Sequence, residues 1–129
     1  MRYCVGVSDK KAYQQLWNIV IPKNAVEEFK TRTKPHWQGE GTKYTVFKLE
    51  SETEDFISLF LNEHEYERKI EKPQFEKEMN SLLLEEIPNE FRPKWEDEYS
   101  FKCMHKGSAV LYLSYFADLS RLIFCQEIT

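Results

Sequence analysis

The sequence predicts an α+β domain: an antiparallel sheet of about five or six strands ending in a C-terminal three-stranded meander, with helices packed mainly on one face. The stretch from Tyr99 to Ile128 carries the sheet. It holds three runs rich in aromatic and β-branched residues, separated by Lys106-Gly107 and Ala117-Asp118-Leu119-Ser120, turns short enough to force antiparallel neighbours. The middle of the chain carries the helices, where apolar residues recur at helical spacing behind a capping threonine and behind a proline. A length of 129 residues with 41% hydrophobic and 15% aromatic content suits one domain, 1–129, whose core needs no disulfide or metal.

From the N-terminus, Tyr3, Val5 and Val7 alternate with Cys4 and Gly6, a short strand over residues 2–7. Tyr13, Leu16, Trp17 and Val20 fit a helical face, but Leu-Trp-Asn-Ile-Val-Ile closing on Pro22 favours a strand over about 14–21, paired in a hairpin with the first. Asn24 followed by Glu27 is a capping-box arrangement, predicting a helix that runs to about Thr33 and buries Val26 and Phe29. Pro35, Gly39 and Gly41 make residues 34–41 a loop. Alternation from Tyr44 to Leu49 gives a further strand.

Ser51 to Thr53 caps a helix that buries Phe56, Leu59 and Phe60; its polar continuation through Arg68 is a projecting helix end or a loop. Pro73 opens another helix, with Phe75, Met79, Leu82, Leu83 and Ile87 on one side, and Pro88 ends it. Residues 89–97, with Phe91, Pro93 and Trp95, form an irregular link into the meander.

With two central residues in each turn, Cys103 faces Val110, Phe101 faces Tyr112, Tyr115 faces Leu122 and Leu113 faces Phe124. Ala109, Leu111, Leu113, Tyr115, Leu122, Phe124 and Ile128, with Lys102 and Met104 near one edge, then form a core face. The opposite face mixes Tyr99, Phe101, Cys103, Val110, Tyr112, Phe116, Ile123 and Cys125 with His105, Ser114, Arg121 and Glu127, and is expected to be partly covered. Cys103 and Cys125 flank the central strand, about 10 Å apart and beyond disulfide reach. Reduced thiols, no secretory leader and no apolar run of membrane-spanning length point to a soluble cytoplasmic protein.

The net charge of -4 hides a strong polarity. Residues 1–49 hold nine Lys/Arg against four Asp/Glu, residues 50–98 six against sixteen, and residues 99–129 three against two. The middle segment therefore carries -10 and makes a negative potential that steers a basic partner. Tyr66, Phe91 and Trp95 are interleaved with that charge, an arrangement suited to aromatic anchors in a protein interface.

Catalytic and metal motifs do not stand up to spacing. His64-Glu65-Tyr66-Glu67 is followed by Arg68, so two imidazoles cannot sit one helical turn apart as a zincin requires. Glu63, Glu67 and Glu71 share a helical face in the manner of solvated carboxylates. Cys103 has His105 two residues away, but no nucleophile signature accompanies the pair. No metal and no cofactor is called for.

A small, acidic, single-domain α+β chain of this kind resembles, at the level of class, the immunity proteins that neutralise bacterial toxins. The resemblance implies a non-enzymatic inhibitor that blocks a basic toxin, such as a nuclease, with an acidic surface. Its surface is expected to use Glu63, Glu65, Glu67, Glu71, Asp97 and Glu98, with Tyr66 and Trp95 as anchors. Two alternatives stand beside it. One is a small-ligand or enzymatic site on the mixed sheet face, using His105, Tyr112 and Arg121. The other is a nucleic-acid strip over residues 30–37, using Lys30, Arg32, Lys34, His36 and Trp37, with Gly39 and Gly41 close to a phosphate.

Overall fold

The C-terminal runs form the three hydrogen-bonded strands on which everything else is laid. A computed structural model describes residues 9–33, 41–49 and 51–129 of the chain. In chain order these form α1 (Asp9–Trp17), β1 (Val26–Arg32), β2 (Gly41–Lys48), α2 (Glu54–Leu61), β3 (Glu67–Arg68), α3 (Lys72–Asn80), β4 (Ser100–Lys106), β5 (Ala109–Phe116) and β6 (Arg121–Ile128). Single 3-10 turns lie at Asn89–Phe91 and Ala117–Leu119. The six strands make one antiparallel sheet in the order β1-β2-β6-β5-β4-β3. The strand expected at 2–7, most of the loop at 34–41 and Cys4 fall outside the described residues.

Alternation along the strands divides the core into two layers. On one face, Phe47, Leu111, Leu113, Tyr115, Leu122 and Phe124 pack against Tyr13 and Trp17 of α1 and Phe56 and Leu59 of α2. On the other, Tyr44, Val46, Cys103, Tyr112, Phe116, Ile123 and Cys125 pack against Phe75 and Met79 of α3 and against Ile87 and Trp95 of the link. Two of the three helices thus share one face, and α3 with the link covers the mixed face. Cys103 and Cys125 are free thiols, both buried.

The second hairpin has the expected register, with Tyr115 opposite Leu122 and Leu113 opposite Phe124. The first differs by two residues: Cys103 faces Tyr112 and Phe101 faces Ser114. Its turn is Gly107-Ser108, not Lys106-Gly107, because Gly107 supplies the positive φ of 60° that the tight connection needs. A shift of two leaves every side chain on its expected face.

Two local expectations are corrected. The segment 14–21 is not a strand: α1 runs through Trp17 and buries Tyr13 and Trp17 one turn apart. Asn18 at φ 55° ends it, and the residues that follow are tied back by bonds from the Ile19 and Ile21 amides to the Gln14 carbonyl and side chain. The helix expected to start at Asn24 is strand β1. Asn24 donates to the Ser51 hydroxyl at 3.2 Å instead of capping, and Val26, expected to be buried, is 63% exposed. Glu28 is the extra residue of a bulge between Glu27 and Phe29, which breaks simple alternation along this edge.

The helix over Thr53 and the one opened by Pro73 are present. Thr53 Oγ1 accepts from the Phe56 amide at 3.3 Å, and Pro73 sits in the first turn of α3. α3 ends at Asn80, earlier than Pro88, and Leu82, Leu83 and Ile87 reach the core from turns. The polar stretch after α2 is a loop that adds β3 to the edge of β4.

Candidate functional site

α2 presents more apolar surface than its buried face can use. Five of its eight residues are apolar, Phe56, Ile57, Leu59, Phe60 and Leu61. Phe56 and Leu59 turn inward, where the Phe56 ring lies 4.4 Å from that of Tyr115. Ile57 and Leu61, one turn apart, stay 44% and 76% exposed, in line with the exposed Glu54. Beside the start of the helix, Glu52 and Glu98 flank a groove of about 200 Å³ whose wall includes Phe56, Tyr99 and Tyr115.

The two tyrosines that line the groove are each fixed by a hydrogen bond. The Tyr99 hydroxyl donates to Glu76, and that of Tyr115 donates to the Leu49 carbonyl at 3.3 Å. Burial raises both phenols, so both stay protonated at neutral pH. Two exposed carboxylates and three aromatic residues thus line one groove, groups whose chemistry allows charge-assisted hydrogen bonds and ring contact with a cationic side chain.

The residues expected to form an acidic interface are placed in two groups. Glu63, Glu65, Glu67 and Glu71 lie around β3, where Glu67 faces Met104; Asp97 and Glu98 lie just before β4, at the other end of that strand. Glu65, Glu71 and Glu98 are exposed. Glu63 is exposed too, 3.8 Å from Lys69. Asp97 is half-buried, its amide closing a turn on the Lys94 carbonyl. Glu67 is engaged inside the fold, 3.3 Å from the ammonium of Lys102, which is itself 4% exposed. Burial works to raise the Glu67 carboxyl, but Lys69 and Lys102 outweigh it and hold it below the usual range.

The two expected anchors are packed as well. Tyr66 meets Trp17 edge-on at 6.4 Å and carries the Lys106 ammonium 4.8 Å above its ring. Trp95 packs against Phe75, Tyr99 and Phe116, and its Nε1 donates to Asn80 at 2.9 Å. On α2 the exposed apolar side chains are Ile57 and Leu61. Sequence reasoning missed them, although the signal was available: five apolar residues in eight exceed one helical face.

On the mixed face, His105, Tyr112 and Arg121 are not brought together. The rows holding His105 and Arg121 are six residues apart along β6, about 20 Å. Tyr112 donates to Glu78 at 2.8 Å beneath α3, and Arg121 pairs with Glu28 at 3.2 Å over the Phe91 ring. His105 is exposed on β4, next to Cys103, whose thiol burial pushes up to about 11. His64 bonds the Leu59 carbonyl at 3.0 Å. Of the nucleic-acid strip, Lys30 and Arg32 lie on β1 and Gly41 opens β2, while Lys34, His36, Trp37 and Gly39 fall outside the described residues.

Among the described residues no group of three or more His, Cys, Asp or Glu is placed to hold a metal ion, and no helix is long and apolar enough to cross a membrane. What the fold and surface define is an α+β domain with two exposed apolar residues on α2 and, beside the start of that helix, a groove lined in part by Glu52 and Glu98. No protein-family model matches the chain, and no curated protein or solved structure does either.

Proposed function

We propose that this protein is a non-catalytic, protein-binding inhibitor that recognises a basic protein through the α2 flank. The observation that carries the reading is the pairing of exposed Ile57 and Leu61 with the carboxylate-rimmed groove of Glu52 and Glu98 beside the same helix. Apolar anchors supply affinity when they are desolvated, and surrounding charge sets orientation and encounter rate. The acidic segment as a whole adds long-range attraction for a cationic partner. An immunity-type role, blocking a basic toxin such as a nuclease in the cytoplasm, is the setting that best fits this design.

The test separates anchors from charge. Leu61→Glu is expected to slow nothing in folding but to weaken the complex mainly through faster dissociation. The double reversal Glu52→Lys, Glu98→Lys is expected to lower the association rate and flatten its salt dependence. A partner bound equally well by both variants contradicts the assignment of this flank.

A further inference from the structure

We propose that the groove between the start of α1 and the β1 edge of the sheet is an anion site that takes phosphoryl groups, from free nucleotides or from a nucleic-acid strand. The groove measures about 470 Å³, within the range of small-molecule sites, and is lined by Asp9, Lys30, Thr31, Arg32 and Lys43. It lies on the opposite edge of the sheet from β3, and its charge is opposite to that of the α2 flank.

The pairing of β1 with β2 places Arg32 directly opposite Lys43 and Lys30 opposite Thr45, so three cations share one face of this two-strand edge. Like charges directly opposite in a sheet repel unless something negative stands between them. Two carboxylates are near: Asp9 lies 3.8 Å from Lys43, and Glu27 lies 3.8 Å from Lys30. Arg32 has no ion-pair partner among the described residues.

Lys43 is a prepared member of the site. Its side chain is only 15% exposed, with the ammonium 4.4 Å above the Tyr13 ring. Burial lowers its pKa, and Asp9 works in the opposite direction. An incoming phosphoryl group would convert the Arg32–Lys43 repulsion into shared hydrogen bonds, with the guanidinium offering its planar fork and the ammonium a point charge. Tyr13 is wholly buried beneath Lys43, so its ring is not open for stacking a base. The described lining therefore reads phosphate and not the base attached to it.

Titration with pyrophosphate, ATP, GTP and a short single-stranded oligonucleotide, at low and then high salt, tests this directly. ATP and GTP are expected to bind alike, and the bound probe to be lost at high salt. Arg32→Ala is expected to weaken binding about tenfold, with Lys30→Ala acting in the same direction. Asp9→Asn, which removes a carboxylate from the rim, is expected to tighten it. Arg32 and Lys30 are exposed, so unchanged melting of their variants keeps the result a statement about binding. Tightest binding of ATP and pyrophosphate assigns a free nucleotide as the source, and tightest binding of the oligonucleotide assigns a strand backbone. No binding of any probe at low salt, or binding indifferent to Arg32→Ala and Asp9→Asn, overturns the proposal.

Discussion

Glu78 ties three elements together through a single carboxylate. Arg68 of β3 donates to both of its oxygens at 2.8 and 3.0 Å, Tyr112 of β5 donates at 2.8 Å and Gln74 of α3 at 2.6 Å. The Arg68 hydrogen bonds, helped by Gln74 and Tyr112, hold the carboxyl at about 2. Because the folded value lies below the unfolded one of 4.5, its stabilisation is complete above about pH 5 and is lost as pH falls towards 2. Denaturation of wild type and Glu78→Gln should therefore show a gap that is wide at pH 7 and closes in acid. The buried Lys102 makes a second residue-scale prediction. Glu67→Gln removes the carboxylate facing a near-enclosed ammonium and is expected to cost about 2 kcal/mol, whereas Glu67→Gln with Lys102→Met should recover much of the loss. Ser114 Oγ is buried without a hydrogen-bond partner, so Ser114→Ala should leave urea stability unchanged or raise it by up to about 1 kcal/mol. None of these three roles was legible in the sequence. Glu67 and Arg68 form a strand of two residues, too short for a period to show, and what buries Glu67 lies thirty-five residues later on β4.

Elements were legible where one signal acted alone. Thr53 and the apolar spacing behind it agree on α2, and Thr53→Ala should cost about 1 kcal/mol by thermal or chemical denaturation. Where two signals competed, the local one misled. Leu16 to Ile21 alternates as a strand would, and Ile19 and Ile21 are buried while Val20 is exposed. Yet this stretch finds no strand partner among the described residues, and the helical face of Tyr13 and Trp17 decides the segment through its burial against Phe124 and through the Trp17 bond to Gln126. At Asn24 the capping-box spacing is real, but Val26-Glu27-Glu28-Phe29 gives a helix only two apolar contacts. Six residues paired with β2 outweigh it, with Glu28 bulged out to reach Arg121. Tertiary packing also decides what the surface offers: Tyr66 and Trp95 are aromatic and set among charges, but Tyr66 packs against Trp17 and Trp95 against Phe75, Tyr99 and Phe116, while α2 has more apolar residues than it can bury.

At the scale of the molecule, the strand order decides which residues share an edge of the sheet. The meander fixes β4, β5 and β6, β2 joins β6, and β1 closes one edge while β3 closes the other. That order was only partly legible: the short C-terminal turns dictate their own pairing, but nothing local dictates that β2 pairs with the last strand instead of with β4. It is this long-range choice that leaves α2 and the entry to β4 side by side, with Glu52 and Glu98 across one groove. The decisive measurement is capture by immobilised wild-type protein from a lysate of its source organism, run beside the folded Leu61→Glu variant at low and high salt. A stoichiometric basic protein is expected, held by wild type and released by Leu61→Glu, whose activity falls when the complex is re-formed from purified components. Retention of the same proteins by both surfaces, or a partner whose activity is untouched in the complex, would contradict it.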